Sequence, residues 1–190
     1  MRVSIAAFVG LTTLGCATAL AAPVNYEVDT KHAHVGFAAD HFGGLSVWRG
    51  VISGATGKIV LDQDAGTGTV DITLEPGTVV VGRSDLEDHL KTAEFFDVAK
   101  FPTAHFVTTG FRHDGNMVIA DGQLTLRGVT KPVSLAITAF RCGPHPMNKK
   151  QMCGANATTT IKRSEFGLST YVPAVGDEVT ISIEVEAVKD

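Results

Sequence analysis

Hydrophobic and polar residues alternate with period two through most of the chain beyond residue 22. Val70, Ile72 and Leu74 interleave with Asp71, Thr73 and Glu75, and Val179, Ile181, Ile183 and Val185 interleave with Thr180, Ser182, Glu184 and Glu186. In a strand this pattern puts one face against apolar surroundings and the other in water. Similar segments predict strands over residues 24–29, 35–39, 47–52 with an extension to 61, 104–111, 117–126, 133–140 and 157–161. Turn chemistry separates them at 64–68, 113–116, 128–132 and 173–177, where Gly, Pro, Asn and Asp collect. The count is eight or so antiparallel strands with short connections, in one all-β domain without internal repeats. A sandwich and a closed barrel share these signals. About eight strands closing on themselves would enclose room for one small ligand.

One stretch breaks the pattern. Residues 84–102 read SDLEDHLKTAEFFDVAKFP, which predicts a short helix near residues 84–100 inserted between strands. Ser84 is the candidate N-cap, and Asp85, Glu87 and Asp88 fill a first turn where the helix dipole and orphan N–H groups favour carboxylates. Pro102 stops the helix by forcing residue 101 out of helical geometry. Phe95, Phe96 and Phe101 place three of the ten phenylalanines here, and they are expected to pack the helix onto the strands.

The first 22 residues lie outside this reading. Arg2, an apolar run to Leu14 and the small-x-small triplet Ala19-Leu20-Ala21 form an export signal, leaving residues 23–190 as the mature domain. No later run approaches the length of a membrane-spanning helix. The formal net charge of −4, more negative once Arg2 is removed, argues against nucleic acid or anionic membranes as partners, since both reward clustered Lys and Arg. Loss of Cys16 with the leader leaves Cys142 and Cys153, an even pair flanking a polar loop, and in an exported chain they predict a disulfide across a hairpin.

Catalytic signatures do not emerge. There is no G-x-S-x-G elbow, P-loop, H-E-x-x-H, C-x-x-C or dinucleotide fingerprint. Ser84, Asp85 and His89 do not make a triad, because five residues along a helix separate two faces. His32, His34 and His41 are the strongest chemical candidates: the first two share a strand face, and Asp29 or Asp40 would complete a metal site. No metal is expected, since strand-end histidines more often serve as hydrogen-bonding groups.

The run His89-Leu90-Lys91, Glu94-Phe95-Phe96-Asp97, Phe101-Pro102 resembles the central signature of the YceI family of bacterial periplasmic lipid-binding proteins. Three further stretches carry the same resemblance in the same order: Tyr26, Asp29, His32, Val35, Phe37, His41 and Gly43; residues 122–132, GQLTLRGVTKP; and residues 163–167, RSEFG. Together they span nearly all of the mature chain. Val51-Ile52 departs from it where an aromatic is common, and His34 where a small residue is usual.

The resemblance implies a lipocalin-like antiparallel barrel whose apolar interior holds a polyisoprenoid or another long-chain amphiphile, with no cofactor and no chemistry of its own. The wall residues expected to meet such a lipid are Phe37, Phe42, Trp48, Ile52, Ile72, Leu74, Phe106, Ile137, Ile161, Ile181 and Ile183. Arg49, Lys162 and Arg163 are candidate head-group contacts. Export implies a periplasmic location, and the protein could form a homodimer. The competing expectation is a histidine- or metal-dependent enzyme acting on a lipid or quinone through His32, His34 and His41.

Overall fold

The computed structural model describes residues 22–190; the predicted leader, apart from its last position, lies outside the described residues. The strand β1 (Val24–His41) is the seam of the molecule. Along one edge it pairs with β9 (Val175–Lys189). Along the other it meets two strands laid end to end, β2 (Ser46–Ser53) beside residues 34–41 and β3 (Thr56–Asp62) beside residues 24–27. The remaining strands are β4 (Thr67–Leu74), β5 (Ala104–Asp114), β6 (Met117–Leu126), β7 (Val129–Pro144) and β8 (Gln151–Lys162). From β3 onward each strand is antiparallel to the next, and the β1–β9 pairing closes the circuit. With β2 and β3 sharing one stave, the result is an eight-stave antiparallel barrel, which leaves few unpaired edges.

The two strands expected at 24–29 and 35–39 are one. Residues 29–32 bulge between the paired residues Val28 and Ala33, and the polar sequence there explains both the bulge and the apparent break in alternation. The Asp29 carboxylate accepts from the Lys31 backbone N–H at 3.0 Å and from His32 Nδ1 at 2.8 Å. These bonds, chiefly the one from His32, lower the Asp29 pKa. Pro132, expected in a turn, instead stands in β7 opposite Gln123, so the β6–β7 connection shrinks to Arg127-Gly128, both with positive φ. That two-residue geometry suits the right-handed twist of a hairpin.

The inserted helix is shorter than its sequence suggested. α1 spans Ser84–Lys91, and Arg83 rather than Ser84 occupies the N-cap, without a side-chain capping bond. Thr92 is already extended, and both its N–H and its Oγ1 return to the His89 carbonyl. Residues 92–100 follow as a chain of turns, with Asp97 at φ 49, so Phe95 and Phe96 lie beyond the helix. This insertion covers one end of the barrel. There the outer edge of β2 has no strand neighbour in the circuit, and Val51 and Val80 satisfy each other's backbone groups at 2.9 Å in both directions.

Toward the opposite end Tyr26, Val28, Ala33, Ala55, Ile59, Cys153 and Ala187 form a buried cluster. Cys142 and Cys153 face each other across β7–β8 and are joined by the disulfide. Gln63 Nε2 donates to Cys142 Sγ at 3.4 Å, and lies 3.5 Å from the Tyr26 hydroxyl. Among the described residues no helix is long and apolar enough to cross a membrane.

Candidate functional site

Above the packed cluster the barrel is hollow. A cavity of about 750 Å³ runs through it, within the range of small-molecule sites. Its walls are the inward positions of every stave, and these side chains are almost wholly apolar. Several are only half-buried although they point into a closed barrel: Phe37, Ile72, Leu74, Ile137, Ile161, Ile181 and Ile183 all retain accessible surface. Inward apolar side chains of a packed core would be fully buried. Residual exposure inside a barrel therefore marks a lined space.

Small residues make the room. On β8 the inward series is Cys153, Ala155, Ala157, Thr159, Ile161, and its first members are short. Two glycines let aromatic rings lie flat along the wall. A Cβ on Gly50 would stand 2.3 Å from the Phe37 ring, and one on Gly122 would stand 2.4 Å from the Phe106 ring. Any side chain at either position would drive the ring into the channel.

Ten of the eleven predicted wall residues line this cavity: Phe37, Trp48, Ile52, Ile72, Leu74, Phe106, Ile137, Ile161, Ile181 and Ile183. Phe42 does not. It follows the last residue of β1, adopts φ 54 in the β1–β2 turn and is 60% exposed. The inward series of β1 runs Ala33, Val35, Phe37, Ala39, His41, so Phe42 is out of step with it as well as beyond the strand.

The insertion closes over the cavity in two layers. Leu86, His89 and Leu90 of α1 line it together with Phe95 and Phe96, and the Phe96 ring meets Phe37 edge-on with centroids 6.4 Å apart. Phe101 keeps the packing role expected of the three phenylalanines, lying against the Gly128 turn, while Phe95 and Phe96 also border the cavity. His89 Nε2 donates to Glu94 at 2.5 Å, and its ring stands among Phe95 and Tyr171. Tyr171 was not anticipated as a wall residue, since it lies in the turn-rich segment before β9.

Polar groups fasten this cover rather than enter the cavity. Arg127 donates to the carbonyls of Gly167 and Ala93, at 2.9 and 3.2 Å, and Thr170 Oγ1 donates to the Glu94 carbonyl at 2.9 Å. Arg163, a candidate head-group contact, is 6% exposed and borders the cavity. Its guanidinium donates to the carbonyls of Gly176, Leu168, Thr170 and Val175 at 2.5–3.0 Å, so it clamps the β8–β9 connection. Burial lowers its pKa from the ordinary arginine value, with Asp177 opposing that shift. Asp177 accepts from the Ser164 backbone N–H and hydroxyl at 2.9 and 2.8 Å, and these bonds depress its pKa. Lys162 is exposed on the register opposite to inward Ile161. Arg49 reaches the cavity lining.

The three histidines are not brought together. His32 bonds Asp29 at the bulge and shares a shallow outer groove with His34, Arg141, Asn156, Glu184 and Glu186. The His34 Nδ1 lies 3.4 Å from the Ser53 hydroxyl. His41 is at the covered end, between Phe42 and Trp48, whose rings are tilted to its own with centroids 4.0 and 5.4 Å away. Among the described residues no three His, Cys, Asp or Glu side chains are grouped as metal ligands.

Known proteins share this architecture. Protein YceI of Salmonella arizonae is 32% identical over 182 residues, covering 94% of each chain. The crystal structure of Campylobacter jejuni YCEI protein superimposes with a TM-score of 0.66 at 26% identity, over 77% of this chain and 87% of that one. Burkholderia cenocepacia BcnA shares the fold with a TM-score of 0.72 at 21% identity, covering 84% of this chain and 98% of the other. A polyisoprenoid binding domain from Saccharophagus degradans shares it at 12% identity and a TM-score of 0.60, covering 88% of this chain and 99% of that one. A family model described as YceI-like domain matches residues 26–187, and the chain belongs to that family.

Proposed function

We infer that the barrel interior binds a long-chain amphiphile, best matched by a polyisoprenoid, and that the protein carries or sequesters it in the periplasm without catalysing a reaction. The observation behind this reading is the hollow itself: a closed barrel whose inward aliphatic and aromatic side chains stay partly accessible. An isoprenoid chain has no hydrogen-bonding groups along most of its length, so a dry, continuous wall meets its needs. Burying a ten-carbon stretch contributes roughly 8 kcal/mol before ordering costs. The polyisoprenoid binding domain with the same fold supports the ligand class. The disulfide suits an oxidising compartment and agrees with the export signal.

The ten wall residues are the proposed lipid contacts, with Phe95, Phe96 and Tyr171 closing over the chain and Arg49 the basic group available to its polar end. No cofactor enters this scheme. Native mass spectrometry of protein purified from its host should reveal a co-purified amphiphile. Ala157→Trp, which fills the hollow from an inward position, should abolish that mass while the protein remains folded. Wild-type protein that is reproducibly empty, or an Ala157→Trp variant that still carries the lipid, would overturn the reading.

A further inference from the structure

The wall of the barrel is not laced evenly. β4 and β5 are in register only from Leu74–Ala104 to Asp71–Val107. Beyond that last rung both strands continue, β4 back to Thr67 and β5 on to Asp114, and the one bond between them runs from the Val70 N–H to Thr108 Oγ1 at 2.8 Å. A bulge between Thr108 and Gly110 in the β5–β6 ladder bends β5 where this pairing stops. From there β5 is held by β6 alone, as far as Asp114–Met117. Among the described residues no hydrogen bond joins residues 62–69 to residues 109–118. The β3–β4 turn is tied elsewhere, through Gln63 Nε2 to Cys142 Sγ on β7.

The cavity reaches this seam. Gln63, Gly66 and Thr67 line it from the β3–β4 hairpin, and Phe111, His113 and Val118 line it from the β5–β6 hairpin. Gln63, Gly66, Thr67 and His113 are also exposed. A residue that both lines a cavity and meets solvent stands where the two communicate, and here such residues come from both flanking hairpins. The buried cluster around Tyr26 does not fill the gap, because its members belong to β1, β8, β9 and the β2–β3 stave. Tyr171 is exposed at the covered end too, but there Arg127 and Thr170 pin the insertion over the cavity. Nothing comparable fastens the seam.

We propose that the seam between the β3–β4 and β5–β6 hairpins is the portal by which ligand enters and leaves the barrel, with Phe111 as its gate. The inference rests on the lipid-cavity reading. Hairpins tied on one side only can part without breaking backbone bonds to each other, and segments of that kind open locally far more readily than a continuous ladder does. A long chain admitted sideways does not have to displace the fastened cover. Phe111 faces the cavity from the seam, in register with Ala120, and the Val118–Ile137 pair carries the apolar wall inward from it. Gln63, Thr67 and His113 form the wetted lip.

Stopped-flow fluorescence of retinol, an isoprenoid probe that brightens in apolar surroundings, measures entry into and release from the lipid-free mature protein. Ala65→Cys with Asn116→Cys places one thiol in each hairpin turn, and the native cysteines do not compete for reagent because they are joined. Tied by a short bis-maleimide, this variant should enter and release retinol about tenfold more slowly at an unchanged dissociation constant, since a tie raises the barrier and leaves the bound state alone. The same variant capped with N-ethylmaleimide should behave as wild type. Phe111→Ala should speed entry about threefold, which loss of a ligand contact alone would not do. Arg127→Gln, which loosens the cover without lining the cavity, should leave both rates unaltered. Exchange that ignores the tie, or that Arg127→Gln accelerates as much as Phe111→Ala does, would overturn the portal. The two readings fail separately: retinol bound at equilibrium with rates indifferent to the seam defeats the portal alone, whereas wild-type protein that takes up no retinol and carries no amphiphile defeats the cavity and the portal with it.

Discussion

The two halves of the barrel are made from the same alternating strands yet end in opposite states. Toward the disulfide end Tyr26, at 1% exposure, is buried with Val28, Ala33, Ile59 and Ala187 around it, a tight cluster against which the cavity abuts. At the covered end the same eight staves enclose an open volume. The difference lies in what each inward position carries. Near the disulfide a large aromatic is inserted among small neighbours, and the volumes interlock. Higher up, aliphatic side chains and Phe rings lie along the wall over Gly50 and Gly122, and nothing crosses the middle. One end therefore holds the fold together, and the other provides a surface for something else.

If that division is right, equal truncations must have unequal effects. Tyr26→Ala opens a cavity in the packed end and should cost about 3–5 kcal/mol. Phe37→Ala removes an even more apolar side chain from a wall that is already hollow, and should cost about 1 kcal/mol, because most of the penalty for creating a cavity is absent. Urea unfolding of both variants, free of bound lipid, measures the contrast. Similar losses would erase the distinction between plug and wall.

The disulfide tests the same boundary from outside the core. It closes a hairpin with a sequence separation of 11, for which loop-closure entropy gives about 3 kcal/mol. Replacing Cys142 and Cys153 together by Ser should lower stability by that order and leave the capacity for a long-chain amphiphile nearly intact, since the crosslink lies at the plugged end. A variant that loses cargo as readily as stability would mean that the two ends are mechanically coupled.

Much of this was legible in the alternation, because a period of two assigns faces as long as a strand continues. That is why Ile181 and Ile183 could be placed on the wall, and why Cys142 and Cys153 could be paired across a hairpin. It was misapplied at the end of β1: the inward series is Ala33, Val35, Phe37, Ala39, His41, and Phe42 stands out of that step and one position past the strand. It also fails at the bulge, where the side chains of Asp29 and His32 satisfy backbone and each other and hide the continuity of β1. Whether the interior is packed or hollow depends on sums of volume across eight staves, to which no local window has access. Even so, the short inward series on β8 and the glycines opposite Phe37 and Phe106 were signals of it. The resemblance to a family of lipid-binding barrels supplied the closure that periodicity could not. The roles of Arg127 and Arg163 escaped notice because a basic residue beside a strand reads as solvated surface, and only the tertiary position of the carbonyls around them shows that they are clamps.

The smallest expected effect separates the ends by the kind of force that secures them. The buried cluster depends on apolar burial and a covalent bond, with the Asp29–His32 pair only on its outer bulge, whereas the covered end is pinned from within by ionisable groups. Asp177 holds Ser164 through two hydrogen bonds that lower its pKa in the folded protein. A carboxylate with a depressed folded-state pKa adds stability that is fully present above the unfolded value and disappears as pH falls through the folded one, below about pH 4. Asp177→Asn keeps a hydrogen-bonding oxygen and removes the titration. Between pH 5 and pH 3 its melting temperature should therefore fall less than that of the wild type, by about 2 °C for a chain of this size. The same substitution should leave the reduction sensitivity of the Cys142–Cys153 end unchanged. Parallel acid limbs in the two proteins would mean that the clamp beside Arg163 is held by its carbonyls alone.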